Sequence, residues 1–261
     1  MLKLASWNVN SLRVRLEQVL QWLESSHVDI VALQETKLID EQFPTQLFND
    51  HGFHVSFSGQ KTYNGVAIIS RHPVEEVVTD IPGFNDPQRR ILAATIAGIR
   101  LINLYVPNGA AVGTDKFEYK LMWLENVTAF IEQQLSLYPN VAVVGDFNIA
   151  PDDRDVHSPE EWVGCVLVSP QERKAFSALL AMGLKDSFRN FTQEGNHFSW
   201  WDYRAAGFRR NRGLRIDHIL LSEPLNALCL ESCIDVEPRR SERPSDHTPV
   251  WVNLDIDMFY R

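Results

Sequence analysis

Four short polar stretches close off otherwise apolar runs in this sequence: Trp7-Asn8-Val9-Asn10, Gln34-Glu35-Thr36, Gly145-Asp146-Phe147-Asn148 and Ser245-Asp246-His247. Each has an ordinary structural explanation when taken alone, because Asn and Asp favour turns and an acid can cap a helix. Together they hold what metal-assisted hydrolysis of a phosphodiester requires. Carboxylates and amide oxygens without a Cys/His cluster suit a hard cation such as Mg²⁺, which keeps several waters and takes one or two carboxylates. Such a cation suits phosphate substrates. A histidine beside a carboxylate can stabilise or protonate a phosphate oxygen. A second carboxylate, oriented by an amide, can take a proton from attacking water. The chain carries no serine or cysteine nucleophile motif to set against this chemistry.

Other residues join the set more loosely. In the run LRIDHIL, a strand would put Asp217 and Ile219 on one face and His218 on the other. His218 is then expected as an ordinary packed histidine, and Asp217 is left to orient another imidazole, with His247 the candidate. Tyr105 precedes Val106-Pro107-Asn108-Gly109 at a strand end, either as a core tyrosine or as a phosphate contact. Trp200 and Trp201 would point to opposite faces of a strand, one into the core and one toward a ligand. The stretch RAAGFRRNRGLR (204–215) follows them with five arginines and no acid. It is either a solvated loop or a basic face beside aromatics, the combination that suits nucleic acid with a displaced base or sugar.

The elements that must position these groups repeat one grammar. LKLASWNV reads as a strand, and Leu12, Leu16, Val19, Leu20 and Leu23 then recur along one helical face. VDIVALQE is a buried strand that runs out at Glu35. Later, IRLINLYVPNG is a strand and loop. Phe117, Leu121, Leu124, Val127 and Ile131 mark the apolar side of a helix, and NVAVVGDFN is a strand running out at Asp146. Strand, helix, strand, carboxylate thus occurs twice, which predicts two similar layers that deliver both acids at strand ends. Between them HVSFS, GVAIIS, VEEVVTDI and ILAATIAG read as short strands, and FSWW, RIDHILLS and PVWVNLDI follow in the last third. Ser169, Pro170, Glu172 and Gly183 punctuate a helix, with Ser169 and Glu172 as its capping box.

The bulk numbers narrow the class. A chain of 261 residues that is 44% hydrophobic can bury a sizeable core, and no linker or low-complexity tract divides it, so 1–261 is expected to be one domain. No run approaches the roughly 18 apolar residues of a membrane span, and no signal-peptide pattern opens the chain, so a cytoplasmic protein is expected. Cys165, Cys229 and Cys233 form no disulfide framework and lack zinc spacing. The net charge of −9 excludes a generally cationic coat and leaves room for a local basic face.

In order along the chain, WNVNSLR, LQETK, GVAIISR, YVPNG, GDFNIAP, FSWWDYR, GLRIDHILLS and RPSDHTPVW resemble the exonuclease III family of abasic-site endonucleases, within the endonuclease/exonuclease/phosphatase superfamily. The GDFN and SDH runs mark the superfamily; FSWWDYR with NRGLRID is more specific to the DNA-repair branch. The resemblance implies a four-layer α/β sandwich, two packed mixed β-sheets flanked by helices, with the active site at one edge. It implies Glu35 as the acidic metal ligand, Asn8 helping to hold ion or phosphate, and Asp246 as a further metal contact. Asp146 would activate water, Asn148 would position it or the phosphate, Tyr105 would touch the phosphate, and His247, held by Asp217, would support its charge. Asp246 and His247, between Pro244 and Pro249, would then share one phosphate.

The same resemblance makes Trp200, Leu214 and Ile216 an apolar pocket for a flipped-out sugar without a base. Lys61, Tyr63, Asn64, Arg90, Lys116, Tyr119, Arg209, Arg210 and Arg212 become contacts to the DNA backbone. Two positions depart from the pattern: Asn10 stands where some relatives carry an aspartate beside the metal, and Ala111 where some insert an arginine into the stack. The implied activity is cleavage of duplex DNA on the 5′ side of an abasic site, with Mg²⁺ or Mn²⁺ and a 3′-hydroxyl product. Trimming of recessed or blocked 3′ ends accompanies it, and the protein is expected as a monomer. The alternative is a dedicated 3′-5′ exonuclease or 3′-phosphatase, should a side chain from 156–170, such as His157 or Trp162, close the pocket. A lipid-head-group phosphodiesterase fits the arginine- and tryptophan-rich stretch less well.

Overall fold

The computed structural model describes residues 1–256. Two six-stranded sheets form its centre. The first runs β13 (Cys229–Ile234), β14 (Val250–Leu254), β1 (Leu2–Asn8), β2 (Ile30–Gln34), β4 (Val66–Ser70) and β3 (His54–Ser58). The second runs β5 (Glu75–Val78), β6 (Ile91–Ile96), β7 (Ile99–Tyr105), β8 (Val141–Asp146), β12 (Asp217–Leu221) and β9 (Lys185–Asp186). Each sheet has one parallel pair, β1 with β2 and β7 with β8, while the other pairings are antiparallel. The parallel pairs are the ones joined through the long helices α1 (Leu12–Ser26) and α3 (Asp115–Leu137), because a parallel connection needs a crossover, whereas the short α2 (Thr45–Asp50) lies along the chain between β2 and β3.

Strand parity builds the layers. Leu2 and Leu4 of β1, Ile30 and Ala32 of β2, Ala142 and Val144 of β8, and Ile219 and Leu221 of β12 share the core between the sheets. The alternate residues face outward. Ala5, Trp7, Val31 and Leu33 pack with Val19, Trp22 and Leu23 of α1. Ile102, Leu104 and Val143 pack with Leu124, Val127 and Ile131 of α3 and with Phe176 and Leu179 of α4 (Pro170–Ala181). The result is the four-layer order helix, sheet, sheet, helix. Gly145 permits the close fit of β8 on β7: at φ +144, a Cβ there would meet the Leu104 carbonyl oxygen at 1.9 Å.

The strands expected from FSWW and from VEEVVTDI are shorter than the sequence suggested. The first is the two-residue β10 (Trp200–Trp201), paired in a small ribbon with β11 (Gly213–Leu214). The second is a four-residue edge strand with an irregular register. The capping box of α4 forms as the sequence indicates, with the Ser169 hydroxyl accepting from Glu172 N–H and the Glu172 carboxylate accepting from Ser169 N–H. The buried face of α3 is wider than the expected set: Lys120, Trp123, Phe130 and Gln134 join it, and Leu121 is only partly covered. Among the described residues no helix is long and apolar enough to cross a membrane.

Candidate active site

The parity that buries Leu4, Ala32, Val144 and Ile219 carries on to the strand ends, where it delivers Asn8, Gln34, Asp146 and Asp217 to the rim between the sheets. Asp146 stands opposite Tyr105 on one side and Asp217 on the other. Beyond β2 the chain turns through Glu35 at φ +53, which brings this carboxylate back to the same rim. The Ser245-Asp246-His247 turn reaches it from the loop before β14, tied down where the Ser245 hydroxyl donates to the Asn8 carbonyl at 2.6 Å.

His247 is buried between two acids. Its Nδ1 lies 2.8 Å from Asp217 Oδ2, and its Nε2 lies 3.6 Å from Asp146 Oδ2. Asp217 is fixed in turn by the Ser199 hydroxyl, which donates to Oδ2 at 2.6 Å. Burial works against a charge on the imidazole, but Asp217 and then Asp146 outweigh it and raise the His247 pKa to about 10. Asp146, 1% exposed, moves the other way: burial raises its pKa to about 7, Asp217 adds to the rise, and His247 and the Asn8 amide hold it down. Glu35 stays anionic. Burial pushes its carboxyl up, but the Lys37 ammonium at 2.9 Å and the Asn8 amide bring it below the ordinary range. Burial, with Glu35 and Asp146 nearby, keeps the Tyr105 phenol protonated far into alkaline pH.

Several expected contacts are arranged differently. The Asn8 side-chain oxygen accepts from Asn10 N–H at 2.9 Å. The Asn8 amide group donates to Glu35 and to Asp146, both at 2.9 Å, and only an NH₂ can sit between two carboxylates. Asp246 turns away. Its Oδ1 accepts from Asn10 Nδ2 at 2.9 Å and its Oδ2 from Trp200 Nε1 at 3.0 Å. The acids and imidazole whose ligand atoms lie within 4.8 Å of one another are Glu35, Asp146 and His247. Asn10 joins the rim through Lys37, whose ammonium it accepts at 2.6 Å.

Asn148 sits in the left-handed region at φ +49, beside Asp146. Its backbone N–H donates to Asp146 Oδ1 at 2.9 Å, and its side-chain amide to the Val106 carbonyl at 3.0 Å and to Asp146 Oδ2 at 3.3 Å. Of the two tryptophans, Trp201 is buried and Trp200 is partly open, as alternation requires. The apolar pocket expected of Trp200, Leu214 and Ile216 is filled. Leu214 and Ile216 are 0% and 1% exposed, packed with Val156, Leu167 and Val168 and with Trp162 against them. Trp200 instead lines a cleft of about 400 Å³ with His157, Trp162 and Arg212.

The other expected DNA contacts divide into two clefts and a loop. Asn64, Arg90, Tyr63, Lys116 and Tyr119 line a cleft of about 450 Å³. Arg90 stacks 4.6 Å from the Tyr105 ring centre and donates to the Tyr105 carbonyl at 3.1 Å, so it also braces that residue. Lys61 lines a separate cleft of about 500 Å³ with Arg13 and Lys37. Arg209, Arg210 and Arg212 are exposed on the loop after β10, and Ala111 is exposed at the head of α3. His218 is packed on the far face, accepting from Arg215 at 3.1 Å and donating to the Ile149 carbonyl at 2.9 Å; burial and Arg215 lower its pKa to about 4. Sequence reasoning missed Lys37, Ser199 and Ser245. Lys37 stands within LQETK, Ser199 within FSWWDYR and Ser245 within RPSDHTPVW, and that placement is their signal in the sequence.

The family model for the endonuclease/exonuclease/phosphatase family matches residues 5–247. An exodeoxyribonuclease III from Haemophilus influenzae is 36% identical over 266 residues, covering 97% of this chain and 100% of the relative. This chain belongs to the endonuclease/exonuclease/phosphatase family, in its exonuclease III branch. Solved structures of similar proteins agree with the family fold. A 3′ phosphatase, NExo from Neisseria, bound to a product DNA hairpin, superposes with a TM-score of 0.97 at 45% identity, covering 98% of this chain and 100% of that one. An AP endonuclease from Archaeoglobus fulgidus gives 0.95 at 38% identity, again covering 98% and 100%. The four-layer sandwich and the rim site therefore lie in a family of phosphodiester-hydrolysing nucleases.

Proposed function

We propose that this protein is a divalent-cation-dependent phosphodiesterase acting on damaged DNA, which cleaves duplex on the 5′ side of an abasic site and trims recessed or blocked 3′ ends. The observation that carries the reading is the line Asp217, His247, Asp146, with Glu35 close by: a cation held by one acid, facing a second acid poised near neutral pH. The donor set fits a hard cation. Glu35 is anionic and stands beside the Asp146 carboxylate, so carboxylate oxygen with waters is the coordination that Mg²⁺ or Mn²⁺ accepts. Bound there, the ion supplies charge stabilisation at the phosphate oxygens.

The residues divide the remaining work. Asp146, aligned by Asn8 and Asn148, takes the proton of an attacking water, for which a pKa near the working pH is the favourable value. His247, kept cationic by Asp217, aims an N–H at a phosphate oxygen as negative charge develops. The protonated Tyr105 phenol donates to another phosphate oxygen. Asn148 holds the water or the phosphate, and exposed Arg209, Arg210 and Arg212 with Lys61 meet the DNA backbone.

One observation favours a second reading, in which end-trimming outweighs internal incision. The packing of Leu167 and Val156 over Leu214 and Ile216 leaves little room for a flipped sugar at that position. Likeness to a protein named as a 3′ phosphatase supports the same emphasis. The test is cleavage of two end-labelled duplexes in Mg²⁺ and in EDTA, one with a single internal abasic-site analogue, the other with an intact recessed 3′ end. A metal-dependent internal nick that needs Asp146 establishes the first reading. Stepwise loss from the 3′ end with the internal site intact establishes the second, and cleavage of neither, together with no phosphate release from a duplex ending in a 3′-phosphate, defeats both.

A further inference from the structure

Among the described residues Lys120 is the one lysine in the buried set, and it stands on the core face of α3 between Phe117 and Leu124, where an apolar side chain would serve the packing. All three of its ammonium donors are used. They go to the Asn148 carbonyl at 2.6 Å, to the Asn108 carbonyl at 3.1 Å and to the Glu172 carboxylate. Glu172 is itself fully buried and holds Leu167 N–H at 3.0 Å and Ser169 N–H at 3.0 Å, so its position is set by the start of α4. Gly109 marks how closely the loop lies over the lysine: a Cβ there would come within 3.0 Å of Lys120 Cδ.

We propose that Lys120 is a positioning residue, which pins the backbone of the two turns that carry Asn108 and Asn148 and so sets Asn148 against Asp146. Asn148 needs such a restraint because its left-handed backbone at φ +49 is held by no strand ladder, and its side chain completes a chain from Asn108 Nδ2 at 3.2 Å to Asp146. A buried ion pair by itself is a poor source of stability, since desolvation offsets its attraction. The two carbonyls are what a simple apolar replacement could not hold. Lys120 touches no reacting atom and acts through Asn148.

The inference rests on the phosphodiesterase reading above, so the experiment first requires cleavage of DNA by the wild-type protein. Lys120→Met is then measured alone and with Asn148→Ala, recording kcat, KM and thermal midpoint, beside Phe130→Leu as a core change on the same helix. The expected result is a kcat loss of about 100-fold for Lys120→Met with KM within about threefold, the cost of a small misplacement. In the Asn148→Ala background the loss should shrink to a fewfold, and Phe130→Leu should lower the midpoint with kcat kept. A folded Lys120→Met with wild-type kcat overturns the inference. So does an equal loss in both backgrounds, or a loss matched by Phe130→Leu. Should Lys120→Met not fold, Lys120→Gln takes its place, with one carbonyl contact kept and an intermediate kcat expected; full activity in that variant overturns the inference equally. A wild-type protein that cleaves neither duplex defeats the phosphodiesterase reading, and this inference with it.

Discussion

Glu35 and Asp146 are topological twins. Each stands at the end of the second strand of a parallel pair joined through a long helix, and each reaches the rim between the sheets. Their electrostatics are opposite. Glu35 lies one residue past its strand, partly open, with a lysine at 2.9 Å, and its pKa falls. Asp146 is the last residue of its strand, almost wholly buried beside Asp217, and its pKa rises to about 7. A difference of one residue in where the acid leaves the sheet separates a permanent anion from a proton acceptor. Carboxylates pushed apart in this way divide cation holding from acid–base work.

The comparison breaks most sharply if the acids are exchanged for amides one at a time. Asp146→Asn should lower kcat by roughly 10²- to 10⁴-fold, the scale of lost general-base catalysis, and no excess of Mg²⁺ should restore it. Glu35→Gln should raise the Mg²⁺ concentration for half-maximal rate by roughly 10- to 100-fold, with much of the rate recovered at high metal. A metal titration of both variants against the cleavage rate decides this. If Asp146→Asn were the one rescued by metal, the roles assigned to the two acids would be reversed.

The pH dependence sharpens the same contrast. Asp146 must be ionised to accept a proton, so kcat/KM should rise as pH climbs through about 7. His247 must be protonated, so it should fall as pH approaches about 10. These limbs belong to the Asp146–His247 pair rather than to either group. The signs for stability also differ. The raised His247 pKa contributes stability fully present below about 6.5 and lost as pH rises through about 10. The raised Asp146 pKa works against the fold as pH rises from the ordinary aspartate range through about 7, where the buried acid gives up its proton. Thermal midpoints across pH for wild type and Asp217→Asn test this: without Asp217 the alkaline loss should begin at lower pH.

A subtler change tunes Glu35 without removing it. Lys37 neutralises this acid and is shared with Asn10. Lys37→Met should let Glu35 bind cations more tightly, lowering the half-maximal Mg²⁺ severalfold, the opposite direction to Glu35→Gln. Weaker Mg²⁺ binding in that variant would show that Lys37 aligns the acid rather than competing for it.

Much of this architecture is legible in the sequence. The double strand-helix-strand-carboxylate pattern points to both sheets, because apolar alternation of period two and helical spacing are local signals. Parity separates Asp217 from His218 and leaves it for another imidazole, which the fold supplies as His247. What the sequence hides depends on interactions across the chain. The direction of the Asn8 amide is fixed by two acids 27 and 138 residues away. The side chain of Asp246 is turned by Asn10 and Trp200, and Leu214 and Ile216 are covered by the 156–168 segment, which has no periodic pattern to read. Lys120 is invisible there because a lysine within an apolar helix reads as a break in the face rather than as its centre.

The arginine-rich stretch after the tryptophans divides by the same logic of local environment, and here the expected effects are smallest. Arg204, Arg212 and Arg215 face carboxylates, those of Asp202, Glu161 and the Asp155–Asp186 pair, and Arg215 is buried with Asp155. Arg209 and Arg210 are exposed between them, in a chain whose net charge is −9. DNA attraction should therefore rest on these two more than on the count of five. Joint replacement Arg209→Ala/Arg210→Ala should weaken duplex binding severalfold at moderate salt and reduce the slope of log affinity against log salt by about two, one for each phosphate left without its arginine. Arg212→Ala should do less, because its guanidinium is already matched by Glu161 and its removal frees an acid as well as a base. Titrations at several salt concentrations, with kcat recorded alongside, separate the cases: a fall in kcat at saturating DNA would move these arginines from the rim of the duplex to the reacting phosphate.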